Sequence, residues 1–486
     1  DSNVVLGPVP ELRNYFMCGG IIPGFSQSAG MGLMVAQWII EGEMQYDMFP
    51  WDVARFGLWA NDKRFIKAKV EDVYAHRFAI HYPNEEREAG RPVRTRPVFE
   101  LQKEMGAVFG LNYGWEHPLW FSDAPGTVDT NGFTRQNWWA PVGEECKMLR
   151  DRAGIIDISN FAKYRVAGRG AEDWLNALFA NRMPKIVGRS CLTPLIGKHG
   201  GTAGDFTVTR LAEDEFWIVG SGMAERFHQR FFRAIPLPEG TTFESLTEAV
   251  CGFNVAGPKS RALLSRLTNA DLSNEAFPFM RSQRITVAGI DCMALRVSFT
   301  GDLGWELHCA LADQVALYTA LLEAGKEFGA GPVGSRALMS LRVEKGYGSW
   351  GRDYSPEYWP QESGLGGLIK EDNDFLNKDA WLAIRDNAPR EMMSLLEIDV
   401  DTADATGGEP IFLADGTPAG QVSSGAYGYT VGKSLAIAYL LAGVAGPGDE
   451  LEVAILGRPH KARVLDKPPF DPEGNRLRDR EQVAAE

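Results

Sequence analysis

The sequence predicts an α+β protein that ends in a small β-barrel. Between residues 126 and 385, helical and strand-like stretches follow one another without regular strand–helix–strand spacing, which argues against a doubly wound sheet. From residue 390 onward, short alternating strands are separated by Gly-rich turns, the pattern of a small barrel. At 486 residues the chain has room for about three domains.

Apolar spacing places helices near 141–151, 170–180, 223–235, 259–268 and 313–328, with strands at 164–166, 206–211, 216–219, 284–287 and 294–298. In the last part, strands are expected at 393–400, 410–413, 421–424, 436–439, 450–455 and 460–464. Residues from Asp471 onward are polar and expected to be loosely held. This organisation divides the chain into 1–55, a connector at 56–125, a mixed domain at 126–385 and a barrel at 386–486.

The first 55 residues carry Gly19-Gly20-Ile21-Ile22-Pro23-Gly24-Phe25, then Ala29-Gly30-Met31-Gly32, and a helix expected over 33–43. A Gly-rich turn that opens a helix aims free backbone N–H groups at an anion, and glycine allows close approach. One turn and one helix are too little to close a core alone. The connector holds Pro83, Pro92 and Pro97, which bias their preceding residues away from helix. A short helix is expected at 101–109, followed by the aromatic run Gly114-Trp115-Glu116-His117-Pro118-Leu119-Trp120-Phe121.

The formal net charge of −14 argues against nucleic-acid binding, because a phosphate backbone needs a basic face. No apolar run approaches the length of a membrane span, roughly 18 residues. The start, Asp1-Ser2-Asn3-Val4-Val5, lacks the basic head of a signal peptide. The six cysteines form no Cys-x-x-Cys pair and the seven histidines no His-Glu-x-x-His, so no metal site is expected. Dispersed cysteines fit a reducing compartment, cytoplasmic or, in a eukaryote, the mitochondrial matrix.

Six blocks occur in order: Ala153-Gly154-Ile155-Ile156-Asp157-Ile158-Ser159; Val166-Ala167-Gly168-Arg169-Gly170-Ala171; Gly200-Gly201-Thr202-Ala203-Gly204-Asp205-Phe206; Thr300-Gly301-Asp302-Leu303-Gly304-Trp305-Glu306; Arg336 through Gly346; and Trp350-Gly351-Arg352-Asp353 with 360–367. Together they resemble the aminomethyltransferase (glycine-cleavage T-protein) family. The Gly19–Gly32 stretch resembles the closing FAD segment of glycine-oxidase-like amine oxidoreductases, and the aromatic run resembles the junction of dimethylglycine and sarcosine dehydrogenases. The resemblance covers nearly the whole chain. It implies the C-terminal part of such an enzyme: the tail of an FAD-binding domain, then a tetrahydrofolate-binding module and a barrel.

By that resemblance Asp205 is the catalytic carboxylate, and Glu306, Arg336, Arg296 and Trp350 contact the folate. Gly19, Gly20, Gly24, Phe25, Gly30 and Gly32 form part of an FAD site. The chemistry suits these types. A reduced pterin presents a row of N–H donors, for which a carboxylate is the bidentate acceptor. A guanidinium suits the anionic folate tail. A carboxylate beside a ring nitrogen can balance the cation formed as that nitrogen takes up a one-carbon unit.

The chain departs from these families in two places. It has no Gly-x-Gly-x-x-Gly after a strand, so an upstream segment or a partner subunit is expected to complete the flavin site. Leu192-Thr193-Pro194-Leu195-Ile196-Gly197-Lys198-His199 lacks the tyrosine and asparagine that the T-protein family presents there. The implied function is capture of an oxidised N-methyl group, from a dimethylglycine- or sarcosine-like amine, as 5,10-methylenetetrahydrofolate. A non-catalytic binding or regulatory module and a flavin-independent folate-dependent demethylase are the alternatives.

Overall fold

In the computed structural model, which describes residues 3–480, two β-sheets lie face to face between layers of helices. The first has five antiparallel strands in the order Thr242–Ser245, Ala162–Ala167, Glu215–Gly220, Thr202–Ala212, Ser190–Ile196. The second has six, in the order Arg281–Val287, Ile290–Arg296, Gly304–Ala310, Val250–Ala256, Gly154–Asp157, Gly331–Val333, with only the last pair parallel.

Side-chain alternation decides what each face buries. In the five-stranded sheet, Tyr164, Val166, Phe206, Val208, Phe216 and Ile218 pack against helices Ala171–Leu178 and Glu225–Phe232. The latter helix presents Phe227, Phe231 and Phe232 as one apolar stripe, each buried phenyl stabilising by about 2–3 kcal/mol. In the six-stranded sheet, Cys251, Phe253, Val255, Trp305 and Leu307 pack on helix Gln314–Lys326. The two remaining faces meet through Trp217, Met293 and Leu295.

The expected helices near 141–151, 170–180 and 313–328 are Trp139–Asp151, Ala171–Leu178 and Gln314–Lys326. The one near 259–268 is only Ser260–Leu264. The helix expected at 101–109 stops early, at Phe99–Glu104, and Ala107–Asn112 is a strand paired with Trp115–Phe121. Gly106 is the reason: it holds φ +89°, and a Cβ there would stand 2.0 Å from the carbonyl oxygen of Ser122.

The N-terminal expectation needs two corrections. The helix runs Gly24–Glu41, so Gly24, Gly30 and Gly32 lie inside it and not in a turn before it. Glycine costs a helix about 1 kcal/mol against alanine, and here packing outweighs that cost. Met31 and Trp38 are buried with Val4, Leu6, Met44 and Met48. The segment therefore does close a small core. It is fastened to the main body by the wholly buried Asp52, 2.7 Å from Arg230, and by Phe49, which packs edge-on against Trp350.

The C-terminal strands close into a six-stranded barrel, Glu391–Ile398, Lys433–Leu441, Pro418–Gly428, Pro410–Phe412, Glu450–Ile455 and Arg458–Leu465 in spatial order. Its inward positions include Leu396, Ile411, Val422, Ala438 and Val453. Arg342, on helix Ser335–Glu344, ties the barrel to the sheets through Asp353 at 2.6 Å, and Asp353 also accepts from Ser423 and Ser424 of the barrel.

The segment from Asp471 to Arg480 is not loosely held. Asp471 pairs with Lys345, Arg476 with Asp302 and Asp479 with Arg261, while Leu477 is buried. Charge complementarity with buried partners, which composition does not reveal, overrides its polarity. Asp302 is fully buried between Arg150 and Arg476. Arg476→Ala is expected to destabilise the protein by about 1–3 kcal/mol, because it leaves Asp302 with one cation; urea unfolding measures this.

Candidate functional site

Two of the sequence-predicted residues, Asp205 and Glu306, face the space between the two sheets, and strand alternation puts them there. On Thr202–Ala212, Phe206 and Val208 face the helices, so Asp205 and Thr207 face the other sheet. The strand starts from a turn that only glycine fits. Gly200 holds φ +83°, and a Cβ on Gly201 would stand 1.8 Å from the carbonyl oxygen of Pro356. Asp205 is half-buried, and apart from its own backbone N–H no described residue hydrogen-bonds or salt-bridges its carboxylate. Desolvation pushes it up to about 6.

On Gly304–Ala310, Trp305 and Leu307 face the helices, so Glu306 and His308 face Asp205's sheet. Glu306 lies opposite Asn254 on one neighbouring strand and Leu295 on the other. Its side chain is 20% exposed, and its Oε2 lies 3.3 Å from Nε2 of the buried His308. The His308 ring packs against Trp217, centroids 5.6 Å apart, across a cavity of about 380 Å³ also lined by Met293 and Arg165. His308 Nδ1 and Trp217 Nε1 are buried without partners.

The other candidates lie elsewhere. Arg296 falls on the outer face of its sheet, fully buried, 2.6 Å from the Phe277 carbonyl, with Trp305 stacked nearby. It points away from Glu306 because 295 and 296 have opposite facing. Trp350 packs on the helix side of the five-stranded sheet, with ring centroids 4.9 Å from Phe49 and 4.8 Å from His228. Arg336 is held by Asp129, Nη1 to Oδ1 2.9 Å, under the Trp138 ring, and Asp129 also accepts from Trp120. Asp205 and Glu306 thus lie on the facing sides of the two sheets, whereas Arg296 and Trp350 lie on the outer sides and Arg336 is engaged by Asp129. The sequence reading missed His308 and Trp217. His308 was legible: two residues after Glu306 on a strand means the same face.

The interlayer residues fit a planar polar heterocycle: an unpaired carboxylate, a second carboxylate with lone pairs free, and unpartnered ring nitrogens. The N-terminal glycines do not by themselves fit a flavin. Gly24, Gly30 and Gly32 have open space where a side chain would stand, and Phe25, Leu33 and Ile40 are exposed on the same segment. Among the described residues, no helix is long and apolar enough to cross a membrane, and no cluster of three or more His, Cys, Asp or Glu is arranged to hold a metal.

Beneath Asp205's strand lies His228, wholly buried, with neither ring nitrogen paired. Burial pushes its pKa down to about 3. A base depressed in the folded state gives stability that is complete above its unfolded value and lost as pH falls. Calorimetry at pH 7 and 4.5 should show about 2–3 kcal/mol lost at this residue, and His228→Phe should remove that share of the acid sensitivity.

The family model described as GCVT N-terminal domain matches residues 98–373. The glycine cleavage T-protein C-terminal barrel domain matches 392–471, and the FAD dependent oxidoreductase central domain matches 41–95. The chain belongs to the glycine cleavage T-protein domain family, in the branch that joins it to a flavin-oxidoreductase segment. It is similar to mouse (Mus musculus) mitochondrial dimethylglycine dehydrogenase, 34% identical over 96% of this chain and 54% of that protein. It is also similar to the formaldehyde-forming 4-methylaminobutanoate oxidase of Paenarthrobacter nicotinovorans, 33% identical over 98% of this chain and 58% of that protein. The chain therefore spans a little over half the length of these relatives. The crystal structure of aminomethyltransferase T from Bartonella henselae shares the fold, with a TM-score of 0.68 at 23% identity, over 78% of this chain and 98% of that one.

Proposed function

We propose that this chain is the folate-dependent part of a flavin-linked N-methyl amine dehydrogenase or oxidase, and that it captures the oxidised methyl carbon as 5,10-methylenetetrahydrofolate. The observation that carries this is Asp205, a carboxylate raised to about 6 that no other described residue pairs, on the face of its sheet turned toward the sheet that carries Glu306. A carboxylate left unpaired in a recess costs stability, and a catalytic task is the reason to keep one.

Tetrahydrofolate, when bound, supplies the amine that takes up the carbon. Glu306 accepts the N–H donors of its pyrimidine edge. Asp205 balances the positive charge that develops on capture, and the apolar patch of Trp217, Met293 and Leu295 helps exclude water. Arg336 serves the folate tail only by exchanging Asp129 for the ligand's carboxylate. Arg296 and Trp350 act through packing. Holding the capture site in the same assembly as the oxidation keeps the one-carbon unit from diffusing away. The assembly belongs in the cytoplasm or a mitochondrial matrix.

Residues 1–55 form the tail of the flavin domain, 126–385 the folate domain and 386–486 the barrel. Oxidation belongs to an upstream segment or partner subunit that covers the exposed helix Gly24–Glu41; no oxidation step is assigned to the residues of this chain. The isolated 486-residue chain is expected to hold FAD poorly. Stoichiometric flavin absorbance on the chain alone would overturn this division. The function itself is tested by turnover of an N-methylated amine of the dimethylglycine or sarcosine kind in the complete assembly, with and without tetrahydrofolate: the reading requires that tetrahydrofolate divert the carbon from free formaldehyde to the folate adduct.

A further inference from the structure

We infer that His308 is a positioning residue for folate binding and acts through Glu306; this rests on Glu306 being the pterin acceptor. Three observations carry it. First, His308 Nε2 lies 3.3 Å from Glu306 Oε2. An ionised carboxylate only accepts, so Nε2 must carry the proton and donate. That fixes the tautomer and leaves Nδ1 as an acceptor, and Nδ1 has no protein partner. Second, the ring has a built seat. It lies directly across from Gly252, where a Cβ would stand 2.8 Å from Nδ1, and its other side packs on Trp217. Glycine at that register position leaves the space the imidazole occupies. Third, burial lowers the pKa of His308, so the ring stays neutral and donates without neutralising Glu306.

The consequence concerns conformational freedom. A glutamate on a strand has three rotatable side-chain bonds, and ordering them on ligand binding costs affinity. A fixed donor on Oε2 holds the carboxylate in one orientation before the ligand arrives. The second lone pair of Oε2 and both of Oε1 remain for the N–H donors of the pterin. Lys163, buried on the facing sheet, contributes a favourable field at Glu306 but makes its own hydrogen bonds to the backbone oxygens of Ser159 and Phe161. His308 is therefore the group that aims the carboxylate.

The experiment is a double-mutant cycle read by calorimetric titration of the full chain with tetrahydrofolate. His308→Phe keeps the aromatic contact with Trp217 and is expected to weaken binding about tenfold, the size of a lost charge-assisted hydrogen bond. His308→Gln restores a donor and should bind within about threefold of wild type. In the Glu306→Ala background, His308→Phe should change affinity by less than about twofold, because the residue it serves is gone. Unchanged affinity in His308→Phe beside a large loss in Glu306→Ala overturns the inference and leaves the proposed function standing. Unchanged affinity in Glu306→Ala itself overturns the reading beneath it. Equal losses in the Phe and Gln variants, with or without a drop in thermal midpoint, overturn the inference too, since a purely structural histidine is not rescued by a donor. Gly252→Ala offers an independent route: it should displace the ring and reproduce the His308→Phe affinity.

Discussion

Asp205→Asn is expected to cut formation of the folate adduct by about 100-fold or more while leaving tetrahydrofolate affinity within a few-fold. The charge matters only as positive charge develops on the captured carbon, so its loss appears in the rate and not in ground-state binding. In the complete assembly, amine oxidation should continue and free formaldehyde should replace the adduct. The pH profile gives a second readout. The carboxylate is held up to about 6, so adduct formation in the wild type should rise as pH increases through 6, and the Asn variant should be flat across that range.

Stability should move the other way. An acid raised in the folded state is favoured below its unfolded value, and that advantage is lost as pH rises through the folded one. At pH 8 the ionised Asp205 costs the fold about 1–3 kcal/mol relative to an amide, so the Asn variant should melt higher at pH 8 and show no such gain near pH 4. A variant more stable yet inactive is what a functional carboxylate predicts. A variant that still partitions carbon to the folate at the wild-type ratio would make Asp205 a turn residue.

The second large effect concerns binding. Glu306→Ala is expected to weaken tetrahydrofolate binding by about 2–4 kcal/mol, through loss of a charge-assisted bidentate contact with the pterin. It also removes the partner of the buried His308 Nε2, a cost borne by the free and the bound protein alike, so it appears in stability and not in affinity. Calorimetry with tetrahydrofolate and with the tail fragment, 4-aminobenzoylglutamate, separates the contributions. The tail fragment should bind both proteins alike. Unchanged tetrahydrofolate affinity in the variant would give the carboxylate another task.

Much of the architecture was legible because it rests on local patterns. The apolar spacing near 223–235 marked a helix, found as Glu225–Phe232, and the Gly-punctuated alternation after residue 390 marked the barrel strands. Two of the misread segments had non-local causes. Gly24–Gly32 looked like a loop because of its glycines, yet Met31 and Trp38 are buried with Leu6 and make it helix. Asp471–Arg480 looked loose because it is polar, yet Lys345, Asp302 and Arg261 bind it.

By itself, then, the sequence determined most of the element types, the barrel and the two carboxylates, since alternation, turn glycines and the Gly-Gly…Asp and Thr-Gly-Asp…Glu blocks are all written within a few residues. Only the tertiary structure decided which charged residues share a space. Asp205 and Glu306 belong to different sheets, 101 positions apart, and the sheets meet through Trp217, Met293 and Leu295. Arg296 and Arg336 carry family-like positions in the sequence, but one strand step turns the first outward onto backbone oxygens, and Asp129 claims the second. A side chain's neighbours depend on which face it takes and which distant strand stands opposite, and both are set by packing across the whole chain.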